Sequence, residues 1–154
     1  MDVLIRNGGA ADLGDALELI KELAAFENEP AEVEVSLAEM ENWLENEKMF
    51  DFFVLEKNGK IIGLALYYYK YSTWKGKCLF LEDIIVTGKE RKNGYGKLLF
   101  NKVVEVAKQQ KVRRMEWQVL DWNKQAIDFY KKYNTHFNDE WVNCKLVYDQ
   151  IQSA

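Results

Sequence analysis

Apolar and polar positions along the chain change their period several times, and each change marks an element. "VLIR", Val3 to Arg6, reads as a short strand. Between residues 12 and 26, Leu13, Ala16, Leu17, Ile20, Leu23 and Ala24 recur at helical spacing and give one apolar face. Ser36, with Glu39 three residues on, has the form of a capping box, which predicts that a second helix starts there. "FFVLEKNGKIIGLALYYYKY" reads as two strands joined at Asn58-Gly59, because both residues tolerate the positive φ of a tight hairpin turn. A third strand is predicted at about 77–86, a helix near 95–109, and a strand "RRMEWQVL" over 113–120. Asn123 can cap a last helix, "KQAIDFYKKY", and the tail "WVNCKLVYD" alternates as a strand does. Helices on a mixed, partly antiparallel sheet make an α/β architecture.

Composition narrows the classes. The chain has 154 residues, one proline (Pro30) and no repeat or linker, so a single domain over 1–154 is expected. Its net charge of −4 argues against a nucleic-acid partner, which needs a basic face. The start at Met1 lacks the basic-then-apolar pattern of a signal peptide, and no apolar run reaches spanning length; a cytoplasmic protein without a membrane partner is expected. Cys78 and Cys144 both fall in strand-like segments and are expected to be buried, reduced thiols. His136 is the sole histidine, so no metal is expected.

The stretch "LEDIIVTGKERKNGYGKLLFNKVVEVA", residues 81–107, concentrates the candidate chemistry. An apolar strand runs into a segment with Arg91, Lys92, Gly94 and Gly96, and an amphipathic helix follows. A helix start exposes unpaired amides and the positive end of its dipole, and glycines let the backbone come close to an anion. Arg91 and Lys92 add charge. The spacing is neither that of the dinucleotide-binding glycine motif nor that of the P-loop. On spacing alone, an ordinary glycine turn with solvated lysines explains the stretch equally well.

"RKNGYG", Arg91 to Gly96, resembles the pyrophosphate loop of the GNAT acetyltransferases, and it follows the strand "LEDIIV" as in that family. "YYYKYSTWKGKCLFLEDIIV" (67–86), "VLDWNKQAIDFYKKY" (119–133) and "FEN" after the first helix are similar to segments of the spermidine/spermine N-acetyltransferases and their thialysine N-acetyltransferase relatives. The resemblance runs over nearly the whole chain. It implies the GNAT fold, a mostly antiparallel mixed sheet flanked by helices. It also implies a homodimer, and transfer of acetyl from acetyl-CoA to a small primary amine, a diamine, polyamine or thialysine-like compound, by direct attack.

Residue by residue, the resemblance implies that Arg91, Lys92, Asn93, Gly94, Tyr95, Gly96 and Lys97 wrap the pyrophosphate. The main chain of Ile84, Ile85 and Val86 would pair with the pantetheine arm, and Asn123, Lys124, Gln125 and Ala126 would also touch the cofactor. Tyr130 matches the tyrosine that contacts the cofactor and protonates the leaving thiolate; read alone, it also fits an aromatic helix stripe with Ala126, Phe129 and Tyr133. Glu82 is implied as the carboxylate that positions the amine and takes its proton through water. Glu82 and Asp83 are adjacent on a strand and are expected on opposite faces, one toward the cleft. Phe26, Glu27, Ser72, Trp74, Glu116, Trp117 and Gln118 match the remaining substrate contacts; Glu27 fits a solvated acidic run as well.

The sequence departs from the polyamine enzymes at Ser72, where they carry an aspartate, whereas the thialysine relatives share "STWKG". Val142 stands about where a late acidic residue is usual. Both changes weaken a distant ammonium grip and favour a short, amino acid-like amine over spermine. Lys92 replaces the usual glycine after the loop arginine, and Asn134-Thr135 the usual Gly-Ala. An enzyme acting on a protein or peptide amine, and a CoA-binding module without catalysis, are the alternatives.

Overall fold

A computed structural model describes residues 2–154, which divide into two compact units, the first running to Gln118 and the second over Val119–Ala154. The first is built on a five-stranded sheet in sequential order: β1 (Val3–Asn7), β2 (Asp51–Lys57), β3 (Lys60–Ser72), β4 (Gly76–Val86) and β5 (Met115–Glu116). β1 to β4 pair antiparallel, and β5 lies parallel to β4. The hairpin between β2 and β3 turns at Asn58 and Gly59, with φ of 51° and 76°, the left-handed values that the sequence predicts.

β2 carries consecutive buried residues, Phe52 to Leu55, because both faces of the sheet are covered. On one face, α1 (Leu13–Phe26) and α2 (Leu37–Glu45) bring Leu13, Leu17 and Met40 against Phe52, Val54, Leu64, Leu66 and Ile85. α2 starts at the expected capping box: Ser36 Oγ accepts from Glu39 N at 3.1 Å, and Glu39 Oε1 accepts from Ser36 N at 3.0 Å. The opposite face holds Phe53 and Leu55 and is covered by α3 (Tyr95–Gln109), whose Leu99, Phe100 and Val103 are buried. Gly63 permits that approach. A Cβ there would lie 3.0 Å from Leu99 Cδ1 and 3.2 Å from the Ile85 carbonyl oxygen.

Three expectations need correction. The strand expected over 113–120 is only Met115–Glu116, since pairing with β4 is confined to Leu79 and Phe80. Beyond Phe80, β4 continues to Val86 with no strand on that side among the described residues. The tail 141–147 forms no strand: its alternating apolar residues have no partner ladder, and Trp141, Val142 and Leu146 are exposed. Cys144 is accordingly exposed rather than buried, whereas Cys78 is buried as expected.

In the second unit, α4 (Lys124–Lys131) begins where Asn123 Oδ1 accepts from Ala126 N at 3.2 Å. A further helix that the pattern did not reveal, α5 (Tyr148–Ser153), starts where Gln150 Oε1 accepts from Val147 N at 3.0 Å. No helix among the described residues is long and apolar enough to cross a membrane.

Candidate active site

The segment between β4 and α3 is wound by two left-handed residues, Lys92 (φ 68°) and Gly94 (φ 78°). Gly94 is the residue before the helix, and no side chain caps it. The amides of the first turn therefore point out of the helix without an acceptor from its own ladder. Lys89, Arg91, Lys92 and Lys97 make no ion pair among the described residues, whereas Arg6, Lys21, Lys57, Lys70, Lys102 and Arg114 elsewhere in this unit do. Free positive charge at an uncapped helix start is an anion site by its electrostatics.

Neighbouring elements hold this loop in place. Lys57 on β2 donates to Glu90 at 2.8 Å, and Asn93 Nδ2 donates to the Glu90 carbonyl at 3.1 Å. Thr87 Oγ1 donates to Glu22 of α1 at 2.9 Å. Arg91 Nε donates to the Val86 carbonyl at 3.1 Å, and its guanidinium carbon lies 5.1 Å from the Phe26 ring centre. Tyr95 is buried beneath Lys57, so its main chain rather than its ring borders the loop. Gly96 has open space where a Cβ would stand.

The two carboxylates of β4 sit at an irregularity. Tyr67 pairs with Leu81 and Leu66 with Asp83, so Glu82 has no partner across the ladder. Such a bulge interrupts strict alternation, which revises the expectation that the two side chains face opposite sides as in a regular strand. Burial, then the charge of Glu82, then that of Glu27 push the Asp83 carboxyl up to about 6. Burial alone raises Glu82 and Glu27. Glu27 closes the C-terminus of α1, so the helix end and the bulge gather negative charge in one region.

Ser72 Oγ accepts from Trp74 N at 3.2 Å and Lys75 N at 3.1 Å, which stabilises the turn between β3 and β4; Trp74 is 78% exposed there. Glu116 on β5 meets both Lys70 and Arg114 at 3.4 Å, so its charge is balanced within the protein. Trp117 packs edge-on against Phe100 at 5.1 Å, and Gln118 is exposed. In the second unit, Lys124 and Gln125 are exposed on the first turn of α4. Tyr130 is buried, its ring 5.3 Å from Phe129, and burial pushes its phenol up to about 12.

Two residues were missed. Glu22 anchors Thr87 and, at 3.4 Å, Gly88 N; its i, i+4 relation to Phe26 on α1 was the available signal. Tyr68 is raised first by burial and then by Glu82 and Asp83, so its phenol shares their field. In "YYYKY", Tyr67 stacks on Phe53 whereas Tyr68 stacks on Phe80, a division that strand alternation could have indicated.

The model of the Acetyltransferase (GNAT) family matches residues 17–134. The chain belongs to the GNAT acetyltransferases. It is 37% identical over 138 residues to the thialysine N-epsilon-acetyltransferase of Bos taurus, covering 84% of this chain and 81% of that one. It is 33% identical over 134 residues to the spermidine/spermine N(1)-acetyltransferase-like protein 1 of Homo sapiens, covering 82% of this chain and 19% of that one. A solved structure of an aminoglycoside acetyltransferase from an uncultured soil metagenomic sample superposes with a TM-score of 0.79 at 18% identity, covering 96% of this chain and 97% of the other. That last likeness concerns the fold. The GNAT chain is thus an N-acetyltransferase, and the five-stranded mixed sheet flanked by helices is its catalytic scaffold.

Proposed function

We propose that this GNAT enzyme uses acetyl-CoA to acetylate a small primary amine carried on an amino acid-like molecule, by direct attack. The observation that carries the reading is the unpaired basic loop at the uncapped start of α3, beside the open side of β4. Pyrophosphate suits such a loop, with Arg91 able to grip two oxygens at once. Pantetheine amides suit the main-chain edge of Ile84 to Val86 turned away from β3, which has no neighbouring strand among the described residues. Acetyl-CoA supplies the activated acyl group.

An alkylammonium has a pKa of about 10.4 and must lose a proton before its nitrogen can attack. Glu82 and Asp83 are assigned to that task. They draw the cation in and accept its proton; a carboxyl near 6 does so at lower cost than one near 4. The nitrogen lone pair then forms the C–N bond while the C–S bond breaks. Tyr130 gives its proton to the departing sulfur, and the proton that the acylated nitrogen sheds returns the tyrosinate to the phenol, which at about 12 keeps it at neutral pH. No cysteine is needed as an acyl carrier.

The amino acid-like carrier is favoured by Ser72, whose hydroxyl is used within its own turn and brings no charge to a second ammonium. The name of the 37% identical bovine relative agrees with that choice. A screen of acetyl-CoA consumption against thialysine, lysine, putrescine, spermidine, spermine and a lysine-containing peptide tests the reading. Highest kcat/KM on thialysine or lysine supports it; a preference for spermine or the peptide refutes it.

A further inference from the structure

We infer that Phe26 is a positioning residue for Arg91 and serves the cofactor loop rather than the amine. The inference rests on reading residues 91–97 as the pyrophosphate loop. Arg91 is exposed and makes no ion pair among the described residues, so a free side chain would spread over many rotamers. Two contacts restrict it. Its Nε donates to the Val86 carbonyl at 3.1 Å, and the guanidinium carbon sits 5.1 Å from the Phe26 ring centre. A guanidinium fixed at Nε and held against a ring keeps both terminal NH2 groups for one forked contact with an anion.

The ring is well placed to act on the loop because α1 is fastened to the same segment a turn earlier. Glu22 accepts from Thr87 Oγ1 at 2.9 Å and from Gly88 N at 3.4 Å. Glu22 and Phe26 are four residues apart on one helix face, so α1 grips both ends of the Thr87–Arg91 stretch. Phe26 remains 42% exposed, too open for a core residue, and the contact with Arg91 accounts for an aromatic at that site.

The test is the affinity of the full chain for coenzyme A by calorimetry. An exposed cation–π contact is worth about a two- to fivefold change in affinity. Phe26→Leu is expected to weaken coenzyme A binding by that factor, Phe26→Tyr to restore it, and the loss to vanish in an Arg91→Ala background. In steady state, the KM for acetyl-CoA rises while the KM for the amine stays constant. If Phe26→Leu fails to fold, Phe26→Met, which removes the ring but keeps much of the volume, takes its place. Unchanged affinity in Phe26→Leu, or an equal loss without Arg91, overturns the inference and leaves the cofactor reading intact. A wild-type chain that does not bind coenzyme A overturns both.

Discussion

Asp83 follows Glu82 at a bulge in β4, and the charge of Glu82 adds to burial in holding the Asp83 carboxyl at about 6 rather than 3.8. A raised carboxyl pKa means that the folded protein prefers the neutral acid. Its stabilising contribution is complete below pH 4 and is lost as pH rises through 6. Asp83→Asn should therefore match the wild type in stability at pH 4 and exceed it at pH 7 by up to about 3 kcal/mol. Urea unfolding at the two pH values measures this. A variant less stable at pH 7 than at pH 4, relative to wild type, would show that the carboxylate is well satisfied when charged.

The same charge that costs stability is the one proposed to attract the amine. In the wild type, kcat/KM for a cationic substrate should rise as pH passes through about 6, and Asp83→Asn should lose that limb of the profile. A pH–rate profile of the two proteins distinguishes the cases.

Lys92 holds a left-handed φ of 68° that glycine would adopt without strain. Such a conformation costs a non-glycine residue about 1 kcal/mol, which the extra unfolded-chain freedom of glycine partly offsets. Lys92→Gly is expected to leave stability equal or raise it by up to about 1 kcal/mol, while coenzyme A binding weakens by up to about fivefold through the lost charge. Melting and binding measured on one preparation check whether the two effects have opposite sign.

Much of this molecule is readable in its sequence, and the limits have physical causes. Ser36 with Glu39, Asn58-Gly59 and Asn123 carry their structure in local chemistry, and each forms the cap or turn that its residues specify. The α3 start is legible for the same reason. The tail 141–147 fails because alternation reports which side of a strand is apolar, not whether a neighbouring strand exists to complete it. The bulge at Glu82 is invisible because it depends on the register between β3 and β4. Glu116 lies in a strand that the resemblance implies to line the substrate site, and only the fold reveals its ion pairs with Lys70 and Arg114. The contact of Phe26 with Arg91 joins residues far apart in sequence and leaves no local signal.

Tyr130→Phe removes one oxygen from a buried ring and should disturb the fold little. Loss of a positioned acid lowers turnover by about a hundredfold or more. Coenzyme A affinity should stay within about twofold of the wild type. Equal turnover in the two proteins would take Tyr130 out of the chemistry.

Gly94 has φ of 78° and stands at the helix start, so Gly94→Asp adds strain and a negative charge where the diphosphate is expected. Repulsion at such distances weakens coenzyme A binding by about tenfold or more. An amide-resolved NMR titration of the wild-type chain with coenzyme A tests the cofactor loop most directly. The largest shifts are expected on residues 84–86 and 91–97. Saturable binding whose largest shifts fall elsewhere, or no binding at all, would contradict that assignment.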